Sequence, residues 1–274
     1  IDYARRRRAA TREGGRQRID FHEVEAVLRA GDAMTRTGAV RLHRALLLVG
    51  FLGFPIHVAR AQAPARRPQA APAPASPPDA AQRHAALYWP TDPFWATRAP
   101  DTVLVQLATT RGPITVALYR AWAPHGVDRA YNLARAGYFD DSRFYRVVVD
   151  FIAQFGLAGD PAIASVWSRA TLAPDARRVS NARGTVSFAQ FKPDDRTTNL
   201  FINLRDNPRL DALGFVPIGR VVTGMAVADR LYAGYGERPM AKANTARLYG
   251  ESNAFLDAKY PKLDRIRTAT VRTR

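Results

Sequence analysis

Between residues 102 and 119, Val103, Val105 and Leu107 alternate with smaller or polar residues, RGP interrupts, and Ile114, Val116 and Leu118 resume the alternation. Strand side chains point to opposite faces in turn, so this period of two predicts a β-hairpin with one buried face. The period then lengthens. In APHGVDRAYNLARAGYF, Val127, Ala130, Tyr131 and Ala134 share a helical face, Pro124 suits the first turn, and Gly137 suits the C-terminal cap. Strand-length apolar runs return at residues 184–189, 198–204 and 214–222. GMAVADRLYAG predicts a second helix, ESNAFLDAKYPKL a third, short one, and RIRTATVR a last strand. Many short strands with two or three helices predict a mostly antiparallel β-barrel or sandwich.

One run breaks the apolar pattern. FYRVVVDFIAQFG, residues 144–156, carries Arg146 and Gln154 inside two strand-like stretches. A hairpin turning at Asp150 places Arg146 opposite Gln154 and Val148 opposite Ile152. Phe144, Arg146, Val148, Ile152 and Gln154 then share one face, while Tyr145, Val147, Val149, Ala153 and Phe155 take the other and are expected in the core. A cation and an amide among apolar groups suit a shallow binding groove. They equally suit a solvated sheet edge, and spacing alone does not separate the two.

The N-terminal third reads differently. From Met34, a basic stretch with Arg36, Arg41 and Arg44 precedes an apolar run from Ala45 to Ile56 and then ARA at residues 59–61. This is the three-part secretory pattern, and the run is shorter than the roughly 20 residues a membrane-spanning helix needs. We read residues 34–61 as a signal peptide cleaved near Ala61, which implies a periplasmic or other extracytoplasmic location. An uncleaved anchor or a buried helix is the competing reading. Residues 1–33 are read as a misassigned or disordered basic extension, with translation starting at Met34. Residues 62–99 form an Ala/Pro-rich linker and an aromatic lead-in, LYWPTDPFW, expected on the surface or at one end of a domain spanning residues 100–274.

The formal charge of +17 on 274 residues suggests a nucleic-acid binder until its distribution is examined. Residues 100–240 carry only +4, and the excess lies toward the two ends. No nucleic-acid partner is therefore expected, nor stable membrane insertion after cleavage; a monomer is the default. With no cysteine, disulfides, thiolate metal sites and a cysteine nucleophile are excluded. His84 and His125 are the only histidines after residue 61, and neither belongs to a cluster with metal-ligand spacing. Asp194 and Asp195 read as a solvated turn rather than a cation site. No metal or cofactor is expected.

The Phe-x-Arg start of FYRVV, with Phe151 five and Gln154 eight residues after the arginine, is followed in order by GTVSFA, TNLFINL and RLDALGFVPIGRVVTGM. In these four blocks the sequence resembles the cyclophilin family of peptidyl-prolyl isomerases, in its bacterial exported branch, from about Val103 onward. The resemblance implies a mainly β fold: a closed eight-stranded antiparallel β-barrel capped by two α-helices, with the active groove on its outside. It implies proline-containing polypeptides as clients and X–Pro isomerisation during folding of exported proteins. A cyclophilin-fold proline-binding protein or chaperone with little turnover is the alternative.

By the same resemblance, Arg146 takes the catalytic role, with Gln154 orienting it. Phe151, Ile152, Phe201 and Leu210 form the proline pocket, and Ala189 and Gln190 bind substrate backbone. Asn199 replaces a usual glutamine beside the pocket, and Phe215 stands where many members have histidine. Tyr145 replaces another histidine, Arg209 occupies the place of a drug-contacting tryptophan, and QFGLAGDP departs from a shorter loop. The departures bear on substrate preference and cyclosporin sensitivity more than on the chemistry.

Overall fold

The computed structural model describes residues 79–192 and 194–273. Residues 1–33, the stretch at 34–61 read as a signal peptide and the expected linker up to residue 78 lie outside them. Among the described residues no helix is long and apolar enough to cross a membrane.

The expected hairpin is β1 (Thr102–Thr109) and β2 (Gly112–Tyr119), paired antiparallel with Val105 opposite Val116. Helix α2 (Pro124–Arg135) follows; α1 (Ala80–Ala86) precedes the hairpin. Strands β3 (Arg146–Val148), β4 (Ile152–Phe155), β5 (Thr185–Phe188), β6 (Leu200–Asn203), β7 (Pro217–Thr223) and β8 (Ile266–Thr273) complete one sheet in the order β3-β4-β6-β5-β7-β2-β1-β8. Every pairing is antiparallel. Val103, Val105 and Leu107 from β1, Ile114, Val116 and Leu118 from β2, and Val127, Ala130 and Leu133 from α2 are buried in one core.

The sheet is open, which corrects the closed barrel expected from sequence. Strands β3 and β8 share no ladder; their approaches meet at a single bridge, Arg143 opposite Arg265, where Phe144 N donates to Asp264 O at 2.8 Å and Ile266 N to Ser142 O at 2.8 Å. The outer edge of β3 is instead bridged at Val147 by Gly236, in the long segment between β7 and β8. With its edge taken there, the three-residue β3 has none left for β8.

The helical caps also differ from expectation. Helix α5 (Met225–Ala228) is a single turn, not a run over residues 224–234. The chain leaves it toward Tyr232, whose backbone N–H donates to the buried Asp264 carboxylate at 2.7 Å. Between β4 and β5, α3 (Pro161–Trp167) begins at Asp160, whose side chain accepts from Ala162 N and Ile163 N. Beyond α5 the chain forms α6 (Thr245–Gly250) and α7 (Asn253–Lys259), the latter within the third predicted helix.

In the lead-in, Leu87 is buried and its carbonyl accepts from Trp167 Nε1 at 2.7 Å, while Trp89 is exposed. Gly156 ends β4 at φ 98°, and a Cβ there would lie 2.5 Å from Thr198 O. No other residue type allows β4 to exit so close to the start of β6.

Candidate active site

The hairpin β3–β4 has the predicted register: Arg146 faces Gln154, and Val148 faces Ile152. Asp150 makes the turn at φ 55°, a left-handed conformation that aspartate tolerates better than most residues. Two of the face assignments fail at the ends of the hairpin. Phe144 lies in the main core, its ring 5.3 Å from that of Phe155, because β3 begins only at Arg146 and the strand alternation does not extend back to it. Val149 is 69% exposed because β3 ends at Val148 and Val149 belongs to the turn.

Beside the hairpin lies a second, smaller apolar cluster, separate from the main core. It consists of buried Ile152, Phe201 and Leu210, with Phe151, Ala189, Leu213 and Phe215 packed against it. Strand β6 brings in Phe201, directly opposite Gln154 of β4. Helix α4 (Pro208–Ala212) brings in Leu210. This five-residue helix is held in place by Asp211, whose carboxylate accepts from Ser180 Oγ at 2.5 Å and Asn181 N at 2.9 Å. The carbonyl of Phe151 is pinned by Leu204 N at 2.9 Å and Asn207 Nδ2 at 3.0 Å. Phe215 meets Phe201 edge to face at 5.6 Å. Leu213 was not foreseen as part of this cluster, although it lies within the block RLDALGFVPIGRVVTGM.

The guanidinium of Arg146 lies 5.7 Å from the centroid of the Phe151 ring, at the rim of this cluster. Its Nη1 donates to Gln154 Oε1 at 3.2 Å. Gln154 is buried, and its Nε2 donates to Tyr145 Oη at 2.8 Å. The Tyr145 hydroxyl in turn donates to Asn199 Oδ1 at 2.9 Å, and Asn199 Nδ2 reaches Tyr249 Oη at 3.5 Å. The chain of bonds has a single sense. Arginine offers only N–H groups, so the glutamine must present its oxygen to it and its NH₂ to the tyrosine. Burial, followed by the nearby Tyr249, pushes the Tyr145 phenol well above its usual range, so it remains a protonated donor.

Asn199 is thereby held in this buried network. Gln190 is likewise engaged, its Nε2 donating to Leu213 O at 3.1 Å. Ala189 and Asn199 meet through the main chain, Ala189 N donating to Asn199 O at 2.9 Å. Sequence reasoning missed Glu237, which accepts from Arg146 Nε at 3.2 Å and also from Arg146 Nη2. It lies 91 residues away in the chain, with no local pattern to connect the two.

Replacing Tyr145 with phenylalanine removes one oxygen and orphans both Gln154 Nε2 and Asn199 Oδ1. Gln154 is then free to turn its NH₂ toward Arg146. Because the net worth of one hydrogen bond is about 1 kcal/mol, the X–Pro isomerisation that the sequence resemblance implies is expected to show a kcat about three- to tenfold lower in Tyr145→Phe, with KM nearly unchanged. Steady-state kinetics on a proline tetrapeptide checks this, and an unchanged kcat would mean that the network does not orient Gln154.

The family model for cyclophilin-type peptidyl-prolyl cis-trans isomerases matches residues 104–247. A peptidyl-prolyl cis-trans isomerase of Acinetobacter baylyi is 30% identical over 145 residues, covering 50% of this chain and 75% of that protein. Peptidyl-prolyl cis-trans isomerase A of Dickeya dadantii is 32% identical over 145 residues, covering 50% of this chain and 74% of that one. Among solved structures, a cyclophilin-type isomerase of Cryptosporidium parvum aligns with 63% of this chain and 99% of its own, at 17% identity and a TM-score of 0.48. The matched region spans the sheet from β1 to β7, with Arg146, Gln154 and the small apolar cluster inside it. The chain belongs to the cyclophilin-type peptidyl-prolyl cis-trans isomerase family.

Proposed function

We propose that the protein isomerises X–Pro peptide bonds, with Arg146 stabilising the twisted amide and the Phe151, Ile152, Phe201 and Leu210 cluster receiving the proline ring. The barrier to rotation, about 18–20 kcal/mol, comes from amide resonance. Unassisted isomerisation takes roughly 10–100 s. No bond is broken, so neither a nucleophile nor a metal is required. In the twisted state conjugation is lost and the proline nitrogen carries a lone pair. A donor aimed at that nitrogen favours the twisted amide over both planar forms, which is the condition for catalysis. Guanidinium suits the task because it is permanently charged and presents planar donors.

The observation that carries this reading is the position of the Arg146 guanidinium at the rim of an apolar cluster, supported from beneath by a buried glutamine. The clients are extracytoplasmic polypeptides, in keeping with the secretory pattern at residues 34–61; N-terminal sequencing of the exported protein tests that part. A protease-coupled assay on proline tetrapeptides tests the activity. Acceleration well above the uncatalysed rate is expected. An inert protein that still bound the peptides would be a proline-segment binder instead.

A further inference from the structure

The structure assigns Glu237 as a positioning residue for Arg146, completing from the outer side a clamp that Gln154 supplies from the inner side. The assignment rests on the isomerase reading above and names a component of the same site. Its basis is register. Val147 bridges Gly236 antiparallel, so the next position along places Glu237 directly across from Arg146. On its other edge, β3 places Gln154 across from Arg146, and Phe201 follows across from Gln154. Glu237, Arg146, Gln154 and Phe201 therefore form one row across the sheet, with the cation held between an acceptor on each side.

Guanidinium has five N–H donors. Glu237 Oε1 takes Nε–H and one Nη2–H, and Gln154 Oε1 takes one Nη1–H. Two donors, one on each terminal nitrogen, are left for a substrate. Acceptors on both flanks fix the plane of the group, which neither does alone. The Arg146 side chain is 22% exposed and that of Glu237 46%, so the pair adds little to stability, and its main effect is on geometry.

The backbone around Glu237 is built to hold it there. Gly236 turns the chain at φ 56°. Arg238 Nε donates to Tyr235 O at 3.1 Å, and Arg238 O accepts from Asn244 Nδ2 at 2.8 Å and Tyr260 Oη at 3.2 Å. Tyr235 stacks edge to face on both Tyr232 and Tyr260. The long β7–β8 segment thus holds one carboxylate against the cation of the site.

The test is steady-state kinetics on a proline tetrapeptide with the full chain carrying Glu237→Ala or Glu237→Gln, together with thermal unfolding. Releasing a long side chain restores rotamer freedom worth about a factor of ten, so Glu237→Ala is expected to lower kcat about tenfold, leaving KM and the unfolding midpoint nearly unchanged. Glu237→Gln retains an oxygen acceptor and is expected to recover most of the loss. In an Arg146→Ala background, Glu237→Ala is expected to change nothing further. Unchanged or increased kcat in Glu237→Ala overturns the assignment, an increase meaning that the carboxylate sequesters the cation. A higher KM at constant kcat overturns it in favour of a substrate contact, and equal damage in both single variants overturns a geometric role. An inactive wild type would refute the isomerase reading itself, whereas an active wild type with an unaffected Glu237→Ala would refute only the clamp.

Discussion

Arg146→Ala is expected to lower kcat/KM on proline tetrapeptides about ten- to a hundredfold while leaving the fold intact. A charge-assisted hydrogen bond to the twisted amide contributes about 1.5–3 kcal/mol, and each 1.36 kcal/mol is a factor of ten in rate. The apolar cluster of Ile152, Phe201 and Leu210 does not depend on the arginine, so peptide affinity should survive the change. Stability should change by no more than about 1 kcal/mol, because the ion pair with Glu237 is half-exposed. Arg146→Lys retains the charge but loses the planar fork that meets Glu237 and Gln154 at once, so it is expected to resemble alanine more than wild type. Protease-coupled kinetics alongside circular dichroism decides the matter. An alanine variant with wild-type turnover would remove the cation from the chemistry and leave only the apolar hollow to explain it.

The part of this site that could be read from sequence is the part made by local pairing. Arg146 and Gln154 are eight residues apart around one turn, and hairpin register follows from the position of the turn. Ile152 and Phe201 were reachable because each sits in a strand-like run matching an ordered family block. Glu237 was not, because its pairing with Arg146 depends on one isolated bridge far along the chain. The same bridge explains the failed closure: strand periodicity reveals which segments pair but not that an edge is already occupied. Helix α3 did leave a signal, Asp-Pro at residues 160–161, the usual start of a capped helix, within a segment read only as an inserted loop. Asn199 carries a contact that the resemblance did not imply. In this chain Tyr145 stands before the arginine, and its hydroxyl engages the asparagine in the buried network.

Asp175→Ala is expected to cost about 3–5 kcal/mol of stability, the largest effect foreseen for a residue outside the site. Within the stretch APDARR, the Asp175 side chain is wholly buried and pairs at 3.3 Å with Arg196, itself only 3% exposed. The same carboxylate accepts from His125 N and Gly126 N, both at 2.9 Å, at the start of α2. The helix has no side-chain cap of its own, since Ala123 occupies that position, and so takes its cap from 50 residues downstream. Alanine removes both functions at once. Two helix N–H groups lose their acceptor, at about 1 kcal/mol for a lost cap. The buried Arg196 charge is left without its counter-ion, which is the larger cost at about 3–5 kcal/mol. The two overlap and should not be summed. For a domain of this size, about 2–4 °C per kcal/mol translates the loss into a fall of roughly 6–20 °C in the unfolding midpoint. Asp175→Asn retains an acceptor for the helix but not the charge, and should fall between alanine and wild type. Combining it with Arg196→Met should recover part of the loss, because replacing both partners of a buried pair avoids the orphaned cation. Arg196 also donates to Ala173 O at 2.6 Å and lies three residues before Asn199, so the loosened chain leads directly into β6 and Phe201. Asp175→Ala should therefore lose turnover on warming well before wild type does, while matching it at low temperature. A midpoint within about 2 °C of wild type would mean that Arg196 finds other acceptors and that α2 needs no borrowed cap.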